Sequence, residues 1–136
     1  MIVVCTSVQL TEEQKRALGY SEASSISYSL TVERQYVVLG LSFLTSSLLN
    51  QGVNCMVEDD IGRCAFVPAC LFDVASSAVS EHWVVQRTER LDWVLWPKEF
   101  LEEFFHDDLS DGDPRTLSIF RVVCDRMKIE ARRHAL

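Results

Sequence analysis

An α+β fold is predicted for this 136-residue chain: an antiparallel, mostly-β sheet or partly open barrel with a short N-terminal helix and two C-terminal helices. Three observations predict it. Tyr36 to Val74 reads as three or four adjacent strands, a capping signal opens a helix at Thr11, and the hydrophobic period lengthens at Pro97 from two residues to nearly four. Residues 1–96 are thus expected to be mainly β and 97–136 to hold both later helices, within the single domain that this length suggests.

Met1 to Val8 supplies a first strand, with Ile2, Val3, Val4 and Val8 apolar. Thr11 with Gln14 fits a capping box, Glu12 and Glu13 suit the positive helix end, and Gly19 is placed to end the helix. Tyr20 to Ser25 reads as loop and Ile26 to Val32 as a strand. Tyr36 to Phe43, rich in β-branched and aromatic residues, reads as one strand; a rival reading makes Glu33 to Gln51 one helix capped by Gly52. Gly52 to Glu58 alternates Val53, Cys55 and Val57 with other residues, and Asp59-Asp60-Ile61-Gly62 then turns the chain, Gly62 taking φ > 0. Arg63 to Val67 runs back as far as Pro68. Ala69 to Val74 is expected to be a short edge strand or turn that sends Leu71 and Phe72 inward. His82 to Arg87 and Leu91 to Trp96 form a hairpin around Thr88-Glu89-Arg90, and Trp83, Trp93 and Trp96 are assigned mainly to packing.

Beyond Pro97, the i, i+4 pairs Phe100 with Phe104 and Leu101 with Phe105 predict an amphipathic helix, with Glu99, Glu102, Glu103 and Asp107 mostly on its other face. Asp113 as N-cap and Pro114 at the first helical position start the last helix. Its stripe of Leu117, Phe120, Cys124 and Met127 is expected to dock on the sheet, while Arg132, Arg133 and His134 suit its negative end.

Several functional classes find no support. No apolar run approaches the roughly 18 residues of a membrane span, and Met1-Ile-Val-Val-Cys-Thr6 lacks the basic start of a secretory signal, so a cytoplasmic location is expected. The five cysteines are odd in number and scattered, as reduced core thiols are; Cys55 and Cys64, flanking the turn, form the one local pair that invites oxidation. No C-x-x-C exists, and Cys64 with Cys70 lacks a companion His pair, so no metal is implied. An EF-hand beginning at Asp107 fails, because Leu109 occupies the third position and Ser118 the twelfth. G-x-S-x-G, G-x-G-x-x-G and the P-loop are all missing, and His82, His106 and His134 are the only histidine bases. The expectation is a chain with no catalytic residues and no cofactor.

Charge points further. Twenty acids against thirteen bases give a net charge of −7. Pro97 to Asp113 alone holds seven acids and one base, Lys98, hence 1 − 7 = −6. Glu58, Asp59 and Asp60 make a second acidic tip. A focused negative patch repels nucleic acid and membranes and speeds encounter with a basic partner. The candidate partner-binding residues are therefore Glu58, Asp59, Asp60, Glu99, Glu102, Glu103, Asp107, Asp108 and Asp111. The plainer alternative is a solvated helix face followed by a capped loop.

The strand Tyr36-Val-Val-Leu-Gly-Leu-Ser-Phe43, the acidic-tipped hairpin Glu58-Asp-Asp-Ile-Gly62, Phe66-Val-Pro-Ala-Cys-Leu-Phe72, the strand at Trp83 and the Phe-rich, acid-ended segment from Pro97 to Asp113 together resemble small immunity proteins of bacterial polymorphic and contact-dependent growth inhibition toxin systems. The likeness covers roughly residues 30 to 115 and transfers no defined functional residue. It implies a cytoplasmic antidote that binds one cognate protein toxin domain, very often a nuclease with a basic cleft, without touching nucleic acid or membrane itself. Two other classes compete: a non-enzymatic adaptor subunit of a larger complex, and a small carboxylate- or metal-dependent hydrolase.

Overall fold

The computed structural model describes residues 1–45, 51–89 and 92–135. Its α+β architecture has three layers, a small sheet, a larger sheet and a layer of helices. The small sheet is antiparallel in the order β2-β1-β6, from β1 (Ile2–Cys5), β2 (Gln35–Val37) and β6 (Phe72–Ser76). The larger has the order β5-β4-β3-β8-β7, from β3 (Gly40–Leu44), β4 (Gly52–Glu58), β5 (Cys64–Pro68), β7 (Trp83–Arg87) and β8 (Trp93–Pro97), again all antiparallel. The sheets do not close into a barrel. No helix among the described residues is long and apolar enough to cross a membrane.

Strand β4, second in the larger sheet, is apolar on both faces and so contributes to both cores. Cys55 and Val57 point toward the small sheet and join Val3, Cys5, Tyr36, Val38 and Leu71 in one core cluster. Met56 points the other way, into a second cluster with Leu39, Phe100, Phe120, Val123 and Met127. Burying each such side chain contributes roughly 1.5–3 kcal/mol. Alternation along the strand also settles the cysteine question. Cys55 pairs with Val67 and Cys64 with Glu58, so the two thiols lie on opposite faces and the expected oxidisable pair is not formed.

The run Tyr36 to Phe43 is two strands rather than one. Val38 donates its N–H to the Met1 carbonyl in the small sheet, whereas Leu39 donates to Met56 in the large one, so the chain changes sheets between them. Their side chains are nearly inaccessible, one in each core. The rival helix from Glu33 to Gln51 is overturned as far as residue 45 and at Gln51, its remainder lying outside the described residues. Gly40 is needed where β3 begins, because a Cβ there would lie 2.7 Å from Trp96 Cδ1. The hairpin Gly52 to Pro68 forms as expected, with Gly62 at φ 82°.

Ile26 to Val32 is not a strand. Only Leu30 is buried, Ile26 and Val32 are exposed, and the backbone makes isolated bonds such as Tyr28 N–H to the Val8 carbonyl instead of a ladder. The β7–β8 hairpin forms, but residues 90 and 91 of its turn and strand start lie outside the described residues. Trp83 and Trp96 pack with their indole N–H groups donated to the Leu39 carbonyl and Ser42 Oγ, while Trp93 is exposed under Arg87.

Helix α1 (Glu12–Leu18) carries the capping box in full, and Gly19 ends it in the left-handed conformation. The single amphipathic helix expected after Pro97 breaks into a 3-10 turn (Lys98–Leu101) and a short helix α2 (Phe105–Ser110). Pro97 fixes the entry, and Phe104 at φ 62° interrupts the helix between the two. Phe100 and Phe105 are buried and stacked on each other, but Phe104 points out. Helix α3 (Pro114–His134) starts as its cap predicts, Asp113 accepting from Thr116 N–H at 3.0 Å. It docks through Phe120, Val123, Cys124, Met127 and Ala131, with Leu117 left partly exposed.

Candidate functional site

The nine acids singled out by charge divide into two sets. Glu58 ends β4 and reaches α3, accepting from Arg121 at 2.7 Å and Lys128 at 3.3 Å. Asp59 is 7% exposed and organises the turn, its Oδ1 accepting the N–H groups of Ile61 at 3.1 Å and Arg63 at 2.8 Å. Asp60 gathers Thr31 Oγ1, the Tyr36 hydroxyl and Arg34. Hydrogen bonds from Thr31 and Tyr36, with the Arg34 charge, hold its carboxyl below the ordinary range against a small opposing effect of burial. Glu99 forms a bidentate pair with Arg126, both bonds at 2.9 Å, and the Arg126 hydrogen bonds lower its carboxyl in the same sense.

Glu102, Glu103, Asp107, Asp108 and Asp111 behave differently. All five are exposed, and none is ion-paired with a described residue. They flank Phe104 in the chain, a residue 64% exposed in a left-handed backbone conformation that costs a non-glycine residue on the order of 1 kcal/mol. The turn is fixed on both sides, Phe105 N–H donating to the Glu102 carbonyl and Asp108 N–H to that of Phe104.

Behind this surface His106 sits edge-on to Phe66, Trp96, Phe100 and Phe105. Burial lowers its pKa to about 4, opposed weakly by Asp107, so the imidazole is neutral and serves as an aromatic spacer. Its Nε2 has no hydrogen-bond partner among the described residues. An uncharged ring here keeps the acidic rim from being neutralised from within.

Two features escaped the sequence reading. The i, i+4 spacing of Phe100 and Phe104 puts Phe104 on the apolar face of one helix, whereas the structure breaks that helix at Phe104 and exposes it. Glu81, His82 and Glu130 come together at α3, a meeting of residues nearly 50 positions apart that neither the adjacent Glu81-His82 nor Glu130 and His134 at i, i+4 announces in the sequence. Comparison with known proteins finds no matching family model, no matching curated protein and no matching solved structure.

Proposed function

We propose that this chain is an immunity protein that binds a basic, nuclease-type toxin domain in the cytoplasm and blocks it without chemistry of its own. The observation that carries the reading is Phe104, an exposed aromatic residue in a strained backbone conformation, with five exposed acids around it in the chain that have no ion-pair partner among the described residues. An interface of this make-up uses the aromatic as its central anchor and the carboxylates for steering and charge pairing. A toxin that cleaves nucleic acid carries a basic cleft for phosphates, the complementary surface. A strained, solvent-exposed Phe has no evident role in stability, which favours docking over a merely solvated helix end. The same surface on an adaptor subunit would bind a basic partner that is no toxin.

The test uses the C-terminal domain of the polypeptide encoded beside this chain. Tight binding is expected, with association that slows as salt rises. Phe104→Ala should weaken it at least about thirtyfold. Reversing Glu102, Glu103 and Asp107 to Lys should slow association at least about tenfold at low salt. Unchanged binding at low salt in both variants overturns the proposal, and binding without loss of toxin activity assigns the adaptor role instead.

A further inference from the structure

A shallow depression of about 450 Å³ beside α3 is lined by Glu81, His82, Val122, Arg126, Ile129 and Glu130 among others. Glu130 is a helix carboxylate only 5% exposed, and it clamps the loop that precedes β7. Ser80 Oγ donates to its Oε2 at 2.7 Å, Glu81 N–H to its Oε1 at 2.7 Å, and His82 N–H to Ser80 Oγ at 3.0 Å. Both carboxylate oxygens of Glu130 are thereby held in place by donors from the loop.

The clamp also delivers side chains. One donor atom each from Glu81, His82 and Glu130 lies within 4.8 Å of the other two. His134, one turn along α3, places Nε2 4.0 Å from Glu130 Oε1, and His82 Nε2 is 3.8 Å from Glu81 Oε1. We propose that Glu81, His82, Glu130 and His134 form a binding site for a divalent transition ion of the zinc type. Two imidazoles and two carboxylates are a donor set that suits zinc. Bond lengths of about 2.0–2.1 Å put tetrahedral ligand atoms about 3.3 Å apart, so the donors of Glu81, His82 and Glu130 need to close by about 1.5 Å at most, while His134, outside that triad, has to swing its imidazole further toward it. Glu81 and His134 are exposed, so solvent rather than packed side chains surrounds their rotation. Ser80 and the Glu81 N–H already supply the outer hydrogen bonds that orient a ligating carboxylate. Arg126, which lines the same depression, has both terminal nitrogens turned onto Glu99. This site is independent of the toxin-binding surface.

The experiment uses the untagged, chelator-stripped full chain carrying Cys70→Ser, which removes the exposed thiol as a rival zinc ligand. Zinc chloride is titrated by calorimetry, and Co²⁺ by its visible d–d absorption. One equivalent bound, with an intense four-coordinate cobalt band, is expected. His82→Ala and His134→Ala should each weaken binding at least about tenfold, while both retain the native fold because the Ser80–Glu130 clamp uses neither imidazole. Millimolar or substoichiometric uptake overturns the proposal. So does uptake that neither histidine variant changes.

Discussion

The hairpin acids Glu58, Asp59 and Asp60, with Glu99, face cations or donors of their own chain; the five from Glu102 to Asp111 face water. Both sets are carboxylates on a chain of net charge −7, and their numbers alone do not tell them apart. The first set is spent on architecture. Glu58 and Glu99 tie the large sheet and the 3-10 turn to α3 through Arg121, Lys128 and Arg126, and Asp59 and Asp60 shape and anchor the tip of the hairpin. The second set contributes field without contact. A partner that needs carboxylates with unsatisfied valence finds them on the Phe104 side of the molecule and not at the hairpin tip.

Removing an internally engaged acid should therefore cost stability, most of all at the turn. Asp59→Ala strips acceptors from the Ile61 and Arg63 N–H groups in a tight, largely buried turn, and a loss of about 3 kcal/mol is expected. Asp59→Asn keeps the Oδ1 acceptor and should recover more than half of it. Urea denaturation of both variants checks this. An alanine variant as stable as the parent would place Asp59 with the free acids.

Glu99 comes next. Glu99→Gln leaves the Arg126 guanidinium without its anion, and because both side chains keep some solvent contact the expected cost is only about 1–2 kcal/mol. A pH signature goes with it. The Glu99 carboxyl is held below its ordinary 4.5 by Arg126, so its contribution is fully present above that value and is lost as pH falls through the lower folded value. Parent and variant should thus converge in stability in acid and separate above pH 5. A constant gap across that range would mean the pair is not the source of the difference.

How much of this was readable in the chain depends on distance along it. The capping box at Thr11, the Gly62 turn and the Asp113-Pro114 helix start depend on residues two to four apart, and each forms as its spacing predicts. Ile26 to Val32 has the alternation of a strand, yet among the described residues no neighbouring strand completes a ladder with it. Tyr36 to Phe43 was too uniformly apolar to reveal that Val38 and Leu39 serve different sheets. The spacing of Phe100, Phe104 and Phe105 mimics a helix, but Phe100 and Phe105 stack directly and that packing overrides the period. The partners of Glu58 and Glu99 lie between 27 and 70 residues away on α3, so no local pattern could separate engaged acids from free ones.

The smallest expected effect is on the stability of the free set, and it is the sharpest discriminator. Changing Glu102, Glu103, Asp107, Asp108 and Asp111 one at a time to the matching amide removes no described hydrogen bond or ion pair made by the side chain, so each should alter unfolding free energy by no more than about 0.5 kcal/mol. All five together should be slightly stabilising, since like charges crowded on one short segment repel, and the gain should shrink as salt is added. Thermal denaturation at low and high ionic strength measures both. A cooperative loss of several kcal/mol would show that these carboxylates hold the segment together, in which case they are not spare charge and cannot be what a basic partner meets.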